Sequence, residues 1–435
     1  MATQFSTVPI NTPCTPEPFT LHVPETDIDE FQQLLRLSKI GPPTWWNQHD
    51  NGQFGVSRDW LTQAKETWLS DFNWRKHEEQ INSVPNFKLD IHDPEDGQID
   101  IHFAGLFSAR KDATPIIFLH GYPGSFMEFL PMMQLLVRKY TPETLPYHVI
   151  VPSLPDYGLS GGFSENIKMT LHRAARTMNQ LMVELGFGAG YIAQGGDLGS
   201  MLARMMSVAY EGCKAFHVNM LVANPGESPS SDDQDLTPTP EEQAHLDRSN
   251  AWQQTGFAYA LEHGTRPSTV GLAISSSPLA LLAWYASLPS FLPFSLQTTI
   301  IILTTQPETR IGEKHLEWSD PRTPLPLDTI LSITSFYWFT STFPRGLYHA
   351  ELVKKLMTGA PYPTSKDKPM GYSLFAYDLA LMPRVWAERA YPKMVFFKAH
   401  DAGGHFGALE QPGAFLEDVE EFVDRVKGVF YSESG

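Results

Sequence analysis

From Phe87 onward, short apolar runs alternate with helical patterns: "FKLDIH", "QIDIHFAGLF", "PIIFLHG", a helix, "YHVIVPSLP", another helix, Tyr191-Ile192-Ala193, a third helix and "KAFHVNM". Strands that alternate with helices predict a doubly wound, mostly parallel α/β sheet. After Asn224 the pattern gives way to the acidic, Pro/Ser-rich "PGESPSSDDQDLTPTPEEQ" and then to helical segments through about Met357. The strand pattern resumes with "MVFFKAH" at 394–400. This order predicts a helical lid at 225–357 inserted between two parts of one sheet, 86–224 and 358–435. Residues 1–85 mix Pro-rich pieces with helical patterns such as "DEFQQLLRLSKIG", and read as an N-terminal arm that packs on core and lid.

With 435 residues and a formal charge of −17, the chain buries a large core and repels nucleic acid and anionic membrane surfaces. A small neutral substrate fits that balance. Cys14 and Cys213 are too few for a disulfide framework and are spaced unlike a metal site, which points to a reducing compartment. The start, "MATQFSTVPINTPCTPEP", shows neither a basic flank nor an apolar core, so no secretory signal is expected. No charge occurs from Pro267 to Pro307, yet Pro289 and Pro293 interrupt any helix there, which argues against a membrane span. A soluble, cytoplasmic protein without metal or organic cofactor is the expectation.

The stretch "YIAQGGDLGSMLARMMSVAYEG" sharpens the fold into a chemistry. Tyr191-Ile192-Ala193 reads as a buried strand, and Leu202, Met205, Met206 and Ala209 recur at helical spacing up to Gly212. Between them Gly195 and Gly199 bracket Asp197, where a strand-to-helix elbow of the G-x-S-x-G kind carries its nucleophile. Asp197 is equally a residue that caps helices, so the elbow needs a second site in support. Ser125, with Glu128 three residues on, has the form of a capping box opening the next helix after "FLHGYPG". The string "GLSGG" around Ser160 also satisfies G-x-S-x-G, but no apolar helix follows it.

Among 15 histidines, His405 in "FFKAHDAGGHFGALEQP" sits in a Gly-rich loop just beyond a buried strand, on the sheet edge where Asp197 is expected. The chain order nucleophile, acid, base of α/β-hydrolases places the orienting carboxylate before it. Asp378 in "YSLFAYDLALMPRVW" is the candidate, with Asp401 the weaker one because it shares the histidine's own loop.

These pieces resemble a known family, the epoxide hydrolases of the α/β-hydrolase fold, in particular soluble fungal members of the microsomal-type branch. The resemblance rests on "RLSKIGPPTWW", "HGYPGSFMEF", "QGGDLGS", "GFAYALEHGTRPST", "SFYWFTSTFPR" and "AGGHFGALEQP", which run from arm to C-terminus. It implies that Asp197 attacks an epoxide carbon to form a hydroxyalkyl ester. Tyr259 and Tyr337 would then protonate the ring oxygen, as phenols with a pKa of about 10 can. His405, held by Asp378, would activate the water that hydrolyses the ester. Backbone N–H groups of Leu198 and Tyr122 would form the oxyanion hole within the loop His120, Gly121, Pro123. It further implies a vicinal diol product and a homodimer. A serine would leave an ether that water does not cleave, whereas a carboxylate leaves an ester that it does.

Departures from the family pattern are few. A haloalkane dehalogenase, the alternative on this fold, carries Trp after its nucleophile where this chain has Leu198. Tyr122 stands where Trp is usual, and Asp156 where Gly is common. Between "PLALLAW" and "IGEKHLEW" the 26 residues Tyr285 to Arg310 have no counterpart in the pattern. Two readings stay open: an untranslated insert retained in the conceptual sequence, or a lid extension that could displace the tyrosines and leave a non-catalytic binding protein. Sequencing the transcript decides between them.

Overall fold

The structure, a computed structural model, describes residues 2–9, 12–49, 55–224, 227, 236–256, 258–284, 314–315, 318–349 and 361–430. The segment 285–310 lies outside them. Nine strands form one sheet: β1 (Glu17–Phe19), β2 (Asn86–Asp93), β3 (Gly97–Leu106), β4 (Thr114–Leu119), β5 (Tyr147–Pro152), β6 (Tyr191–Gly195), β7 (Cys213–Val218), β8 (Met370–Tyr377) and β9 (Met394–Gly404). Their order is β1-β2-β3-β5-β4-β6-β7-β8-β9, antiparallel from β1 to β5 and parallel from β5 to β9. The α/β class read from the alternation is the architecture observed.

The central strands are almost wholly buried and mostly apolar because both faces are covered. All six residues of β4 are buried. Ile117 and Leu119 join one core, while Ile116 and Phe118 join the other. Such two-sided burial is what a parallel strand between two helical layers requires.

β5 and β6 flank β4 on opposite sides, so the chain reverses its direction of travel across the sheet at β4. In open α/β sheets a crevice forms at such a switch point, beyond the carboxyl ends of the strands. Four segments leave that edge here: His120 and Gly121 after β4, Gly196 and Asp197 after β6, Asp378 after β8, and His405 after β9. Gly121 and His405, 284 positions apart in sequence, line one cavity for that reason alone.

Two strands differ from the sequence reading. β8, "MGYSLFAY", has three aromatics but no β-branched residue and gives a weak strand signal, yet seven of its eight positions are buried between β7 and β9. β1 shows that the N-terminal arm does more than pack on the core, since Glu17–Phe19 extends the sheet as its outermost strand. Pro18 is tolerated there because a strand at the edge has a free side for the missing N–H.

The arm also grips the helix Leu327–Thr340. Trp68 Nε1 donates to Ser335 Oγ at 3.1 Å, and His77 Nε2 lies 3.2 Å from Asp328 Oδ1. Ser38 and Ser277 hydroxyls pair at 2.8 Å. Among the described residues no helix is long and apolar enough to cross a membrane.

The capping box at Ser125 is not formed. Ser125 Oγ accepts from Met127 N at 3.3 Å, residues Phe126–Phe129 make a 3-10 turn, and the α-helix begins only at Leu130. A tightened first turn cannot bring the Glu128 carboxylate back to the Ser125 N–H. The side chain points elsewhere, as described below.

Candidate active site

The elbow is built by close backbone approach. A Cβ on Gly199 would lie 1.8 Å from the Leu119 carbonyl oxygen, and one on Gly195 would lie 2.2 Å from the Gly199 carbonyl. Only glycine at both positions lets β6 turn directly into the helix Asp197–Ala209. Asp197 itself sits at φ +47°, a region that side-chain-bearing residues avoid, so the turn is strained. Gly196 occupies the N-cap position, and no side chain caps the helix. Helix capping by Asp197, the simplest reading of an aspartate there, is therefore excluded.

The carboxylate faces the crevice instead. Tyr122 N–H donates to Asp197 Oδ1 at 2.7 Å, and the Leu198 N–H also points at the carboxylate. On the other oxygen, His405 Nε2 lies 3.4 Å from Oδ2. His405 Nδ1 is 2.7 Å from Asp378 Oδ1, which also accepts from Leu379 N at 2.7 Å. Asp197, His405 and Asp378 thus form one line across the edge of the sheet, in the geometry of a nucleophile, a base and its orienter. Asp401, the weaker candidate, is exposed and contributes its carbonyl to Arg322 instead.

Charge is distributed unevenly along that line. Burial pushes the Asp197 carboxyl up, but the His405 imidazole and the two backbone N–H groups outweigh it and hold the group below the usual carboxylate range. Asp378 is more deeply enclosed, and burial raises it despite the imidazole. For His405, burial acts downward, yet the carboxylates of Asp378 and Asp197 together raise it well above an ordinary histidine. Both directions favour a negative charge on Asp197 and a proton on His405.

The loop after β4 is held by His120. Its Nε2 accepts from Leu154 N at 3.0 Å, so the ring proton is on Nδ1, which donates to Gly121 O at 3.0 Å. Burial lowers this histidine to about 4, which keeps it neutral and structural. A Cβ on Gly121 would come within 2.3 Å of Asp197. Pro123 follows Tyr122 in the same loop, and the approach of the Tyr122 N–H to Asp197 depends on that absence of a side chain at Gly121.

The two tyrosines reach the loop from the lid side. Tyr259 stacks on Tyr122 with ring centroids 6.1 Å apart and 13° between planes. Tyr337, buried on the helix Leu327–Thr340, donates its hydroxyl to Gly124 O at 2.7 Å. Both thus border the loop that carries the Asp197 contact, Tyr337 with its hydroxyl engaged by a backbone carbonyl. The decoy Ser160 is enclosed, donating to Ser153 O at 2.7 Å and accepting from His102 N.

Three site residues escape the sequence reading. Trp318 accepts from His405 N at 2.6 Å through its carbonyl and sets its ring edge-on to the imidazole, 5.0 Å away. Glu410 accepts from the backbone N–H groups of Asp320, Gly404 and Phe406 at 2.7, 2.9 and 3.0 Å, which fixes the histidine's loop. Glu128 borders Asp197 and His405. Trp318 and Glu410 lie inside the quoted motifs "IGEKHLEW" and "AGGHFGALEQP", but nothing in the residue type marks a role. Glu128 is hidden because its spacing from Ser125 mimics a cap.

A nine-stranded sheet with a carboxylate elbow, a histidine after its last strand and helices between β7 and β8 defines an α/β-hydrolase whose elbow carries an acid. Two family profiles match the chain, one described as the epoxide hydrolase N terminus over residues 16–129 and one as the alpha/beta hydrolase fold over residues 114–299. The Aspergillus niger epoxide hydrolase structure is 42% identical, with a TM-score of 0.83 over 97% of this chain and 99% of its own. A relative from Dothistroma septosporum is 39% identical over 423 residues, 97% of this chain and 92% of its own length. The juvenile hormone epoxide hydrolase of the silkworm Bombyx mori, at 22% identity and a TM-score of 0.75 over 97% of this chain and 96% of its own, shares the fold. The chain belongs to the epoxide hydrolase family and is a hydrolase.

Proposed function

We propose that the protein opens small neutral epoxides to vicinal diols through a covalent ester on Asp197. The observation that carries this reading is the aspartate in the elbow, ionised, with one oxygen held by the Tyr122 N–H and the other beside the His405 imidazole. In the first step Oδ2 attacks an epoxide carbon and the ring C–O bond breaks. The ring oxygen takes a proton from Tyr259 or Tyr337, the latter exchanging the Gly124 carbonyl for the substrate.

Ester formation removes the charge on Asp197, one of the two carboxylates that hold the proton on His405. His405 then gives up that proton, which restores the phenol, and becomes a base. In the second step a water passes one proton to His405 Nε2 while its oxygen attacks Asp197 Cγ. The oxyanion collects the N–H groups of Tyr122 and Leu198, each such donor being worth about 3 to 4 kcal/mol in comparable sites. Collapse breaks the Cγ–O(alkyl) bond, the second water proton goes to the departing alkoxide, and the site returns to carboxylate and imidazolium.

A single turnover in ¹⁸O-labelled water tests the sequence of bonds. The label should enter the carboxylate of Asp197 and be absent from the first diol, because the diol's new oxygen comes from the aspartate. Label in the first diol, with none in the peptide containing Asp197, rejects the ester.

The proton cycle adds a pH prediction. Hydrolysis requires neutral His405, so its rate rises with pH through the histidine's pKa in the ester form. That pKa lies below the value in the free enzyme, since the ester has lost one of two raising carboxylates. Single-turnover hydrolysis against pH, beside an NMR titration of His405 in the free enzyme, measures both. A hydrolysis limb at or above the free-enzyme value contradicts the scheme.

A further inference from the structure

Glu128 is an acid without a partner in the middle of the site. Its carboxylate makes no hydrogen bond or ion pair with any described residue. It lines a small cavity together with Asp197, His405, Gly121, Gly196 and Asn219. The space open to the centre of a water is about 10 Å³, room for a single molecule. Its walls come from the loops after β4, β6, β7 and β9, and none of the described residues of 225–357 lines it.

The wall is shaped to admit the carboxylate. A Cβ on Gly124 would lie 2.5 Å from Glu128 Oε2, so the absence of a side chain there is what gives the acid its place. The same cavity is lined by His405, whose buried Nε2 faces Asp197 Oδ2 at 3.4 Å and makes no closer hydrogen bond. Buried polar atoms are seldom left unsatisfied, and the water-sized space shared by His405 Nε2 and the half-buried Glu128 carboxylate calls for one water. Burial, with Asp197 adding to it and His405 opposing, moves the Glu128 carboxyl up to about 8, as expected for an acid that lacks a protein donor.

We propose that Glu128 binds the hydrolytic water: the water donates one hydrogen to a Glu128 carboxyl oxygen and the other to His405 Nε2, which turns a lone pair toward Asp197 Cγ. The proposal rests on the covalent reading above and adds the residue that aims the nucleophile of its second step. No further reactant is involved, since the water's proton passes to His405 and Glu128 keeps its protonation state. An acceptor at this position serves in either state, because a protonated carboxyl retains a carbonyl oxygen.

The test separates the two chemical steps in Glu128→Ala and Glu128→Gln. Alkylation is followed by acid quench and the mass of the ester, hydrolysis by the release of diol in a single turnover of styrene oxide. In the alanine variant hydrolysis should fall by about 10- to 100-fold, the usual consequence of a misplaced reactant, while alkylation keeps its wild-type rate and ester accumulates. Glutamine, which keeps an acceptor oxygen, should recover most of the loss. Wild-type hydrolysis in the alanine variant, equal losses in both steps, or a glutamine variant no better than alanine each overturn the assignment. Failure of the underlying ester mechanism is distinguishable, because wild-type protein would then show no ester at all.

Discussion

His405→Gln protein incubated with styrene oxide should gain the mass of one substrate and stop there. Alkylation of Asp197 needs an ionised carboxylate and a proton donor on the ring oxygen, and His405 is neither. Hydrolysis needs a base beside the ester, and a glutamine amide does not take a proton from water. The hydrolytic step should therefore slow by about 10³- to 10⁴-fold while the first turnover remains. Glutamine is the substitution of choice because its N–H can still donate to Asp378, whose buried carboxylate would otherwise lose its partner at about 3 to 5 kcal/mol. Intact mass before and after mixing, with a peptide map locating the adduct on Asp197, is the measurement. Continued diol release at the wild-type rate would remove His405 from the mechanism. Adduct on another residue would remove Asp197.

Asp197→Asn should abolish diol formation, by about 10⁵- to 10⁶-fold, the scale on which enzymes lose rate when the nucleophile is deleted. The amide oxygen can still accept from the Tyr122 N–H at the Oδ1 position, so the elbow keeps its geometry. What disappears is the negative charge that attacks the carbon. The substitution should leave folding intact, because it takes a charge out of an enclosed site rather than leaving one unpaired. Steady-state diol yield together with a thermal melt reads both consequences. A folded variant that still forms diol would show that water attacks the epoxide directly. This prediction and the previous one differ in kind: the histidine variant reacts once, the asparagine variant not at all.

The legibility of the fold and the site in the sequence varied with the physics behind each signal. β4, β5 and β6 announce themselves because two-sided burial forces short, mainly apolar runs such as Ile116–Leu119 and Val149–Val151. β8 does so only weakly, because its aromatics Tyr372, Phe375 and Tyr377 are mixed with Gly, Ser and Ala and no β-branched residue, and its place is decided by its pairing with β7 and β9. At the site, Asp197 is legible through Gly195 and Gly199, which a strand-to-helix turn cannot do without. His405 is legible from the glycines around it, and Asp378 from chain order. Glu128 was concealed by a spacing that the 3-10 turn at Phe126–Phe129 then defeated.

The sequence by itself determined the class of sheet, the position of the elbow and the identity of the three groups on it. These are local facts: periodicity, glycine at close approaches, and the acid in place of a serine. Only the tertiary structure decided which oxygen of Asp197 meets Tyr122 and which meets His405, that Tyr259 and Tyr337 border the loop after β4, and that Glu128 shares a one-water cavity with Asp197 and His405. Those are relations among side chains brought to one sheet edge from β4, β6, β8 and β9. No local pattern encodes them, because the crossing of β4 between β5 and β6 sets the distances and not the spacing along the chain.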